Sequence, residues 1–505
     1  MKKKRLSIEI SILSIMLILL SAFLLLRKEL SNDLFFDLKT GKDILKHGID
    51  FKDHFSFISN LKYLYHHWLY DLIVFGLYNI GKWNAIFILF LITYSAFGIS
   101  LFYINKKNSN KLIATIIAIF TMYITAQFFQ FRVQSITYLL FLWEIYSIEK
   151  LYKTGKKHYS FYLLLISILI VNLHMPLWIF SIILYLPYLT ETLLCLIAKK
   201  LKKLNNIFTL EKPKNTKIIL ITFFILAFTG LCSPLKLNPY TFFAKSLFNN
   251  SFNIISEMHK TVLYSEKFTI LILIIIICGI YFKYLKLTTR DFFLLIGLFL
   301  FSLIAIRNIV YFLIFAPTIL MKSFKKPKKT NFNKITATKF YIKIKHWIKR
   351  INYTILLDIV TLFLICGYSI ILVGFFKNKP DYGEHILFPD KSIKFIKNNC
   401  NYKKAHIFTD FDFGAYVAFH NLPIFVDSRA EVYIKEFNGG KDIISDIKNI
   451  EYYDKYKEVL DKYKFDYLIV YYNTNLDLYL KKDKDYNLLY TEMDGVMFSV
   501  YEKTT

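Results

Sequence analysis

Residues 1–26 read MKKKRLSIEISILSIMLILLSAFLLL, four basic residues followed by about twenty positions dominated by Ile, Leu, Met and Phe. A bilayer core of about 30 Å needs roughly 20 apolar residues of helix. No small-residue cleavage pattern closes the run, so it is expected to be an uncleaved first span with its basic end inside. Similar runs follow at 84–104, 112–130, 133–149, 159–173, 175–198, 216–232, 268–283, 291–306, 308–321 and 354–376. The chain of 505 residues is 55% hydrophobic and 18% aromatic, too apolar for a soluble protein of this length and far from a disordered one. The expected fold is an α-helical polytopic membrane protein of about 11 spans.

The formal charge of +28 invites a nucleic-acid reading, but its distribution argues otherwise. Residues 1–376 hold 46 Lys and Arg against 16 Asp and Glu, whereas 377–505 hold 19 against 21. With the amino terminus inside and the spans alternating, the inside segments 1–6, 105–111, 150–158, 199–217, 283–290 and 322–353 collect 32 of those 46 basic residues. That asymmetry follows the positive-inside rule, so the charge orients the chain instead of gripping phosphate backbones. No nucleic-acid partner is expected. An odd number of spans then puts the carboxyl terminus outside the plasma membrane. The five cysteines show no CxxC pattern and no disulfide framework.

The chain divides into a multi-span part, 1–376, with long outward loops at 28–83 and 233–267, and an extracytoplasmic tail, 377–505. The Lys-rich segment 322–353 is expected as a cytoplasmic linker on anionic headgroups. In the first loop, Trp68–Tyr78 is too short to span and reads as an interfacial or re-entrant helix. In the tail, Ala405–Thr409, Pro423–Asp427 and Phe465–Tyr471 are buried-strand patterns, separated by helical stretches near 391–399 and 441–464, with a hairpin around Asp494-Gly495. This alternation predicts a small α/β domain with a mostly parallel sheet.

Several polar groups are candidates for chemistry. Asp33 and Asp37 are four apart, so a helix would project both carboxylates from one face, where they could hold a divalent cation or supply a general base. The plainer reading is a helix cap and a solvated acid. His66 and His67 point to different faces of a helix, which makes them a poor two-ligand set, and Asp71 lies behind them. Arg132, Gln134, Asn172, His174 and Arg307 sit at outer ends of spans, and Glu257 lies in the second outward loop. An arginine there suits a phosphate, because its planar fork donates two bonds and keeps its charge; snorkelling to headgroups is the alternative. Asp412 and Asp427-Ser428-Arg429 follow predicted strands, where open α/β sheets place ligands. An internal Asp427–Arg429 or Asp412–Arg429 ion pair is the structural alternative.

The pattern Asp33-x-x-x-Asp37-x-x-x-Gly41, Ser56, His67-Trp68-Leu69, Arg132-x-Gln134, Asn172-x-His174, Asn238-Pro239-Tyr240, Arg307, Asp412-Phe413-Gly414-Ala415-Tyr416 and Asp427-Ser428-Arg429 resembles a group of uncharacterised bacterial integral membrane proteins. Their plan is similar to that of the GT-C glycosyltransferases. The segment Thr409–Tyr416 also looks like the Trp-Trp-Asp-Tyr-Gly segment of the oligosaccharyltransferase catalytic subunit. It keeps the Asp-aromatic-Gly core and lacks the paired tryptophans, which leaves peptide-acceptor recognition without its residues. The resemblance implies a transferase that moves a sugar from a polyprenyl-phosphate-linked donor to an extracytoplasmic acceptor in the cell envelope. On that reading Asp33 is the base, Asp37 its neighbour or metal partner, and Arg132 or Arg307 the clamp on the leaving phosphate. His67, Gln134, His174, Glu257, Asp412, Asp427 and Arg429 would line the acceptor side or the cavity. No cofactor is required; a divalent cation, Mg or Mn, would fall to Asp33 and Asp37. The other expectations are a transporter or flippase of a lipid-linked intermediate, and a membrane-anchored binding protein. The oligomeric state stays open.

Overall fold

Apolar runs that must satisfy their own backbone polar groups in lipid fold as helices. The computed structural model describes residues 2–198, 209–247, 257, 259–260, 287–323, 353–378 and 380–504. Among the described residues, twelve longer helices precede the tail: α1 (Lys2–Leu25), α2 (Asn32–His47), α3 (Trp68–Asn105), α4 (Lys111–Thr125), α5 (Val133–Thr154), α6 (Lys157–Leu173), α7 (Trp178–Ala198), α8 (Thr216–Phe228), α9 (Asn238–Leu247), α10 (Thr289–Ile304), α11 (Ile309–Ser323) and α12 (Tyr353–Lys377). Helices stand at ten of the eleven expected spans. The remaining one, 268–283, and nearly all of the basic segment 322–353 lie outside the described residues. Among the described residues, six helices are long and apolar enough to cross a membrane, with two shorter apolar helices at Lys157–Leu173 and Thr216–Leu231.

Side chains close several helix starts. Asn110 accepts from the Ile113 amide at 2.8 Å, Asn215 from Ile218 at 3.2 Å, and Thr288 from Asp291 at 3.3 Å. Each satisfies an amide that the first turn leaves without a partner. The stretch beginning at Trp68 forms a helix of its own, as expected from its length. It joins the following span through a break at Gly81 and Lys82, where Lys82 adopts φ 49°.

The tail carries one four-stranded sheet of β1 (Ile407–Phe408), β2 (Tyr467–Tyr471), β3 (Tyr486–Glu492) and β4 (Phe498–Lys503), in the order β1-β2-β4-β3. Only β1 and β2 run parallel; β2–β4 and β3–β4 are antiparallel. The expected mostly parallel sheet is therefore corrected to a mixed one. The hairpin at Asp494-Gly495 is present, joining β3 to β4. The misread segment is Pro423–Asp427. Ile424, Phe425 and Val426 are buried, but against the loop between α2 and α3, with Phe57 N donating to Ile424 O at 3.0 Å and Ser56 Oγ to Phe425 O at 2.8 Å. A short buried apolar run has the same pattern whether it pairs in a sheet or packs under a loop. One hydrophobic core runs from Ile18 in α1 to Tyr501 in β4, so the tail is seated on the helices.

Candidate functional site

Asp33, Asp37 and Gly41 follow one another at turn spacing along α2, on the side that meets the arm of α3. A Cβ at Gly41 would lie 2.3 Å from the carbonyl oxygen of Asp71. Glycine therefore lets the two helices approach until their acids meet. Asp37, Asp71 and His67 are all buried, and one ligand atom from each lies within 4.8 Å of the others. His67 Nδ1 is 3.4 Å from Asp37 Oδ1. The His67 ring stands edge-on to His174 at 5.0 Å, and His174 Nδ1 is 3.0 Å from Thr137 Oγ1 on α5.

Burial, then the facing Asp71 and the charge of Asp33, raise the Asp37 carboxyl well above its ordinary value. Two buried carboxyls this close resist ionising together. His67 moves the other way. Burial first, with the neighbouring His66 and His174, holds it well below its ordinary value and so neutral. A buried acid pair beside an imidazole is a set of oxygen and nitrogen donors that can pass a proton or bind a cation.

The second part of the site is cationic. Arg132, in extended backbone just before α5, places Nε 3.2 Å from Asp33 Oδ2 and Nη1 3.0 Å from Glu257 Oε1. Arg307, in the turn Ile306–Asn308 ahead of α11, feels the same Glu257 and Arg132, with Tyr138 and Tyr311 beside it. Gln134, two residues past Arg132, has a buried Oε1 with no hydrogen-bond partner among the described residues.

The tail contributes an acidic loop. Asn32, the first residue of α2, donates through Nδ2 to Phe411 O at 2.9 Å and accepts from Tyr416 N at 3.3 Å. Gly414 lets this loop pack closely on the Val426 backbone within the tail, where a Cβ would collide with the Val426 carbonyl oxygen. Asp412 is thereby brought near Asp33, and burial followed by that charge raises its carboxyl. Burial and Asp412 push the neighbouring Asp410 up to about 6.

Asp33, Arg132, Glu257, Arg307 and Asp412 thus share one neighbourhood, while Asp37, His67 and His174 line its continuation. Two sequence expectations need correction. Asp427 and Arg429 do not line an open cavity: Arg429 is fully buried, with Nη2 2.6 Å from Asp427 Oδ2 and 2.8 Å from Asp53 Oδ1, and its guanidinium lies 4.1 Å from the Phe55 ring. That is the internal pair anticipated as the alternative, and burial demands it, because a lone guanidinium cannot be desolvated without counter-charge. The carboxylate partner of Asp37 is Asp71, while Asp33 is bound to Arg132; the proposed Asp33–Asp37 cation pair is not the acid pair that forms. Asp53 and Glu431 are not among the sequence candidates, and Asp71, placed behind the histidines, is given no role by the sequence. His67 and Asp71 do stand four apart, the spacing that could have flagged Asp71. Glu431 pairs with His66 at 3.1 Å, tying the tail to the α3 arm.

No protein-family profile matches the sequence, and no curated protein matches it. Solved structures do. ArnT from Cupriavidus metallidurans, crystallised bound to undecaprenyl phosphate, matches with a TM-score of 0.50 over 97% of both chains at 11% identity. The apo oligosaccharyltransferase of Archaeoglobus fulgidus matches with a TM-score of 0.53 over 91% of this chain and 69% of its own, at 10% identity. Both are GT-C glycosyltransferases. This chain has a GT-C-like fold. The helical architecture explains why the first loop, the ends of α5 and α11 and the tail converge: antiparallel helices in series return every second connecting segment to the same side, where a terminal domain can cover them.

Proposed function

We propose that the chain is a GT-C-type glycosyltransferase that moves a sugar from a polyprenyl-phosphate-linked donor to an acceptor outside the plasma membrane. The observation carrying this reading is the meeting of Asp33 with Arg132 beside Arg307 and Glu257. Undecaprenyl phosphate bound to ArnT, a protein of the same fold, supports the donor class. The amino terminus is proposed inside and the tail outside, following the loop charges.

In this mechanism the donor phosphate takes the two guanidiniums, displacing the carboxylates that Arg132 now holds. Asp33, released from Arg132, accepts the proton of the acceptor hydroxyl as its oxygen bonds to the anomeric carbon of the sugar. The bond from that carbon to the phosphate oxygen breaks, and the polyprenyl phosphate leaves with its new charge against Arg132 and Arg307. If a divalent cation takes part, Asp37, Asp71 and His67 are the residues whose donor set would hold it, where it would supply further charge to the phosphate. Glu257 and Asp412 close the acceptor side by keeping cationic and hydroxyl groups oriented.

The test is Asp33→Asn in cells that make the protein's product. The expected result is loss of transfer and accumulation of lipid-linked sugar at unchanged protein level and fold. Full transfer by that variant overturns the role of Asp33, and unaltered lipid-linked and surface glycans on deleting the whole protein overturn the reaction class.

A further inference from the structure

A second cluster of metal-capable side chains lies away from the Arg132 neighbourhood, at the far end of α2. The sequence carries an Asp-x-x-x-His spacing twice within twelve residues, Asp43 to His47 and Asp50 to His54. The first pair rides on the last turns of α2, so both side chains share a face. Gly48, at φ 74°, ends that helix and turns the chain so that the second pair folds back over the first. The two imidazoles stack at 4.5 Å with 21° between their planes. His47 Nδ1 is 2.9 Å from Asp43 Oδ1, and His54 Nε2 is 3.0 Å from Asp50 Oδ2. One ligand atom each from Asp43, His47 and His54 lies within 4.8 Å of the others.

Behind this group stands Tyr65, fully buried and held at φ 50°. Its hydroxyl faces three acceptors, Asp43 Oδ2 at 3.2 Å, Asp50 Oδ1 at 3.0 Å and Lys52 O at 3.1 Å. One hydroxyl proton can serve only one acceptor well. Asp50 Oδ1 also accepts from the Lys52 amide at 3.1 Å, so Asp50 and Tyr65 are held in place while the Asp43 carboxylate and the two imidazoles form a mixed oxygen and nitrogen donor set open to a cation.

We propose that Asp43, His47 and His54 bind a transition-metal dication of the zinc class, with Asp50 and Tyr65 orienting them. Two imidazoles and a carboxylate favour zinc-like ions over magnesium, which prefers oxygen alone. Three protein ligands leave a fourth position for water, the usual count at an exposed zinc site. His47 and His54 are exposed side chains with room to turn toward a shared ion. With His54 Nδ1 turned to the metal, Asp50 on its Nε2 at 3.0 Å would give the carboxylate–histidine arrangement that fixes a ligating ring. Bound metal would clip the loop 48–60 to α2. That loop carries Asp53 to Arg429 and Ser56 to Phe425, so the clip would stiffen the seat of the tail. This inference stands apart from the transferase reading.

The experiment is calorimetric titration of chelator-stripped, full-length protein in detergent with zinc chloride, for wild type and His47→Gln/His54→Gln. Wild type is expected to bind one equivalent more than the variant, with a rise in melting temperature that the variant lacks and that magnesium chloride does not reproduce. Tyr65→Phe should keep the stoichiometry and weaken binding by about tenfold or more. His54→Gln alone, at an exposed loop position, replaces the double variant if that fails to accumulate. Equal stoichiometry and affinity in wild type and variant, or no zinc binding by wild type, overturns the proposal. Zinc held instead by the Asp37 group would give the first of these.

Discussion

Asp33 in the first turn of α2 and Arg132 just ahead of α5 are 99 positions apart in the chain, yet Arg132 Nε lies 3.2 Å from Asp33 Oδ2. The contact is only partly exposed, and Glu257 approaches the same guanidinium from the other side at 3.0 Å. An arginine bracketed by two carboxylates is stabilised without a phosphate and can exchange those partners for one. Replacement by lysine keeps the charge and loses the fork. Arg132→Lys is therefore expected to lower kcat/KM for transfer by roughly 10- to 100-fold, with Arg132→Ala lower still. Steady-state transfer assays on purified protein with a polyprenyl-phosphate-linked donor would measure this. Unchanged kinetics for both variants would remove Arg132 from donor binding.

Gly41 is the point where α2 and the α3 arm come into backbone contact. A methyl group there would lie 2.3 Å from the Asp71 carbonyl oxygen, so Gly41→Ala must separate the helices and with them Asp37 from Asp71. Transfer should fall by an order of magnitude or more, because catalytic groups displaced by about 1 Å lose much of their effect. Gly76, whose added Cβ would meet nothing within 4 Å, is the matched control. Equal activity of the two alanine variants would contradict the account.

The Arg429–Asp53–Asp427 knot joins the first loop to the tail without access to solvent. Arg429→Met leaves two buried carboxylates unbalanced and should destabilise the protein by about 3–5 kcal/mol. Thermal unfolding in detergent, or protease cleavage in the 48–60 loop, reads this loss. Combining Arg429→Met with Asp53→Asn and Asp427→Asn should recover part of it, since the uncompensated charge is then gone.

Asp410 titrates within the working range. Burial and Asp412 raise its folded value from 3.8 to about 6. With the folded value above the unfolded one, its contribution to stability is full below about 3.8 and is lost as pH rises through about 6. Asp410→Asn should remove that loss. The variant's melting temperature, relative to wild type, is then expected to increase between pH 4 and pH 7, and an identical pH profile for the two proteins would count against a perturbed Asp410.

Much of the architecture was legible because it rests on local properties. Each helix at an expected span owes its existence to about twenty consecutive side chains, and hydropathy reports those without knowledge of their neighbours. The turn spacing of Asp33, Asp37 and Gly41 likewise follows from the helix alone. Sheet direction was not local. Pro423–Asp427 has the composition of a strand, but which surface buries it depends on a loop more than 350 residues earlier.

The sequence by itself determined a basic, many-helix membrane chain with a small α/β tail, because apolar length and charge balance are sums over neighbouring residues. Tertiary structure decided which acid meets which base. Asp37 faces Asp71 since Gly41 has no side chain, Asp33 meets Arg132 where two helix ends converge, and Arg429 is spent on Asp53 and Asp427 inside the core. Such pairings are set by close packing and by the need to balance every desolvated charge, and neither condition can be read from residues taken in order.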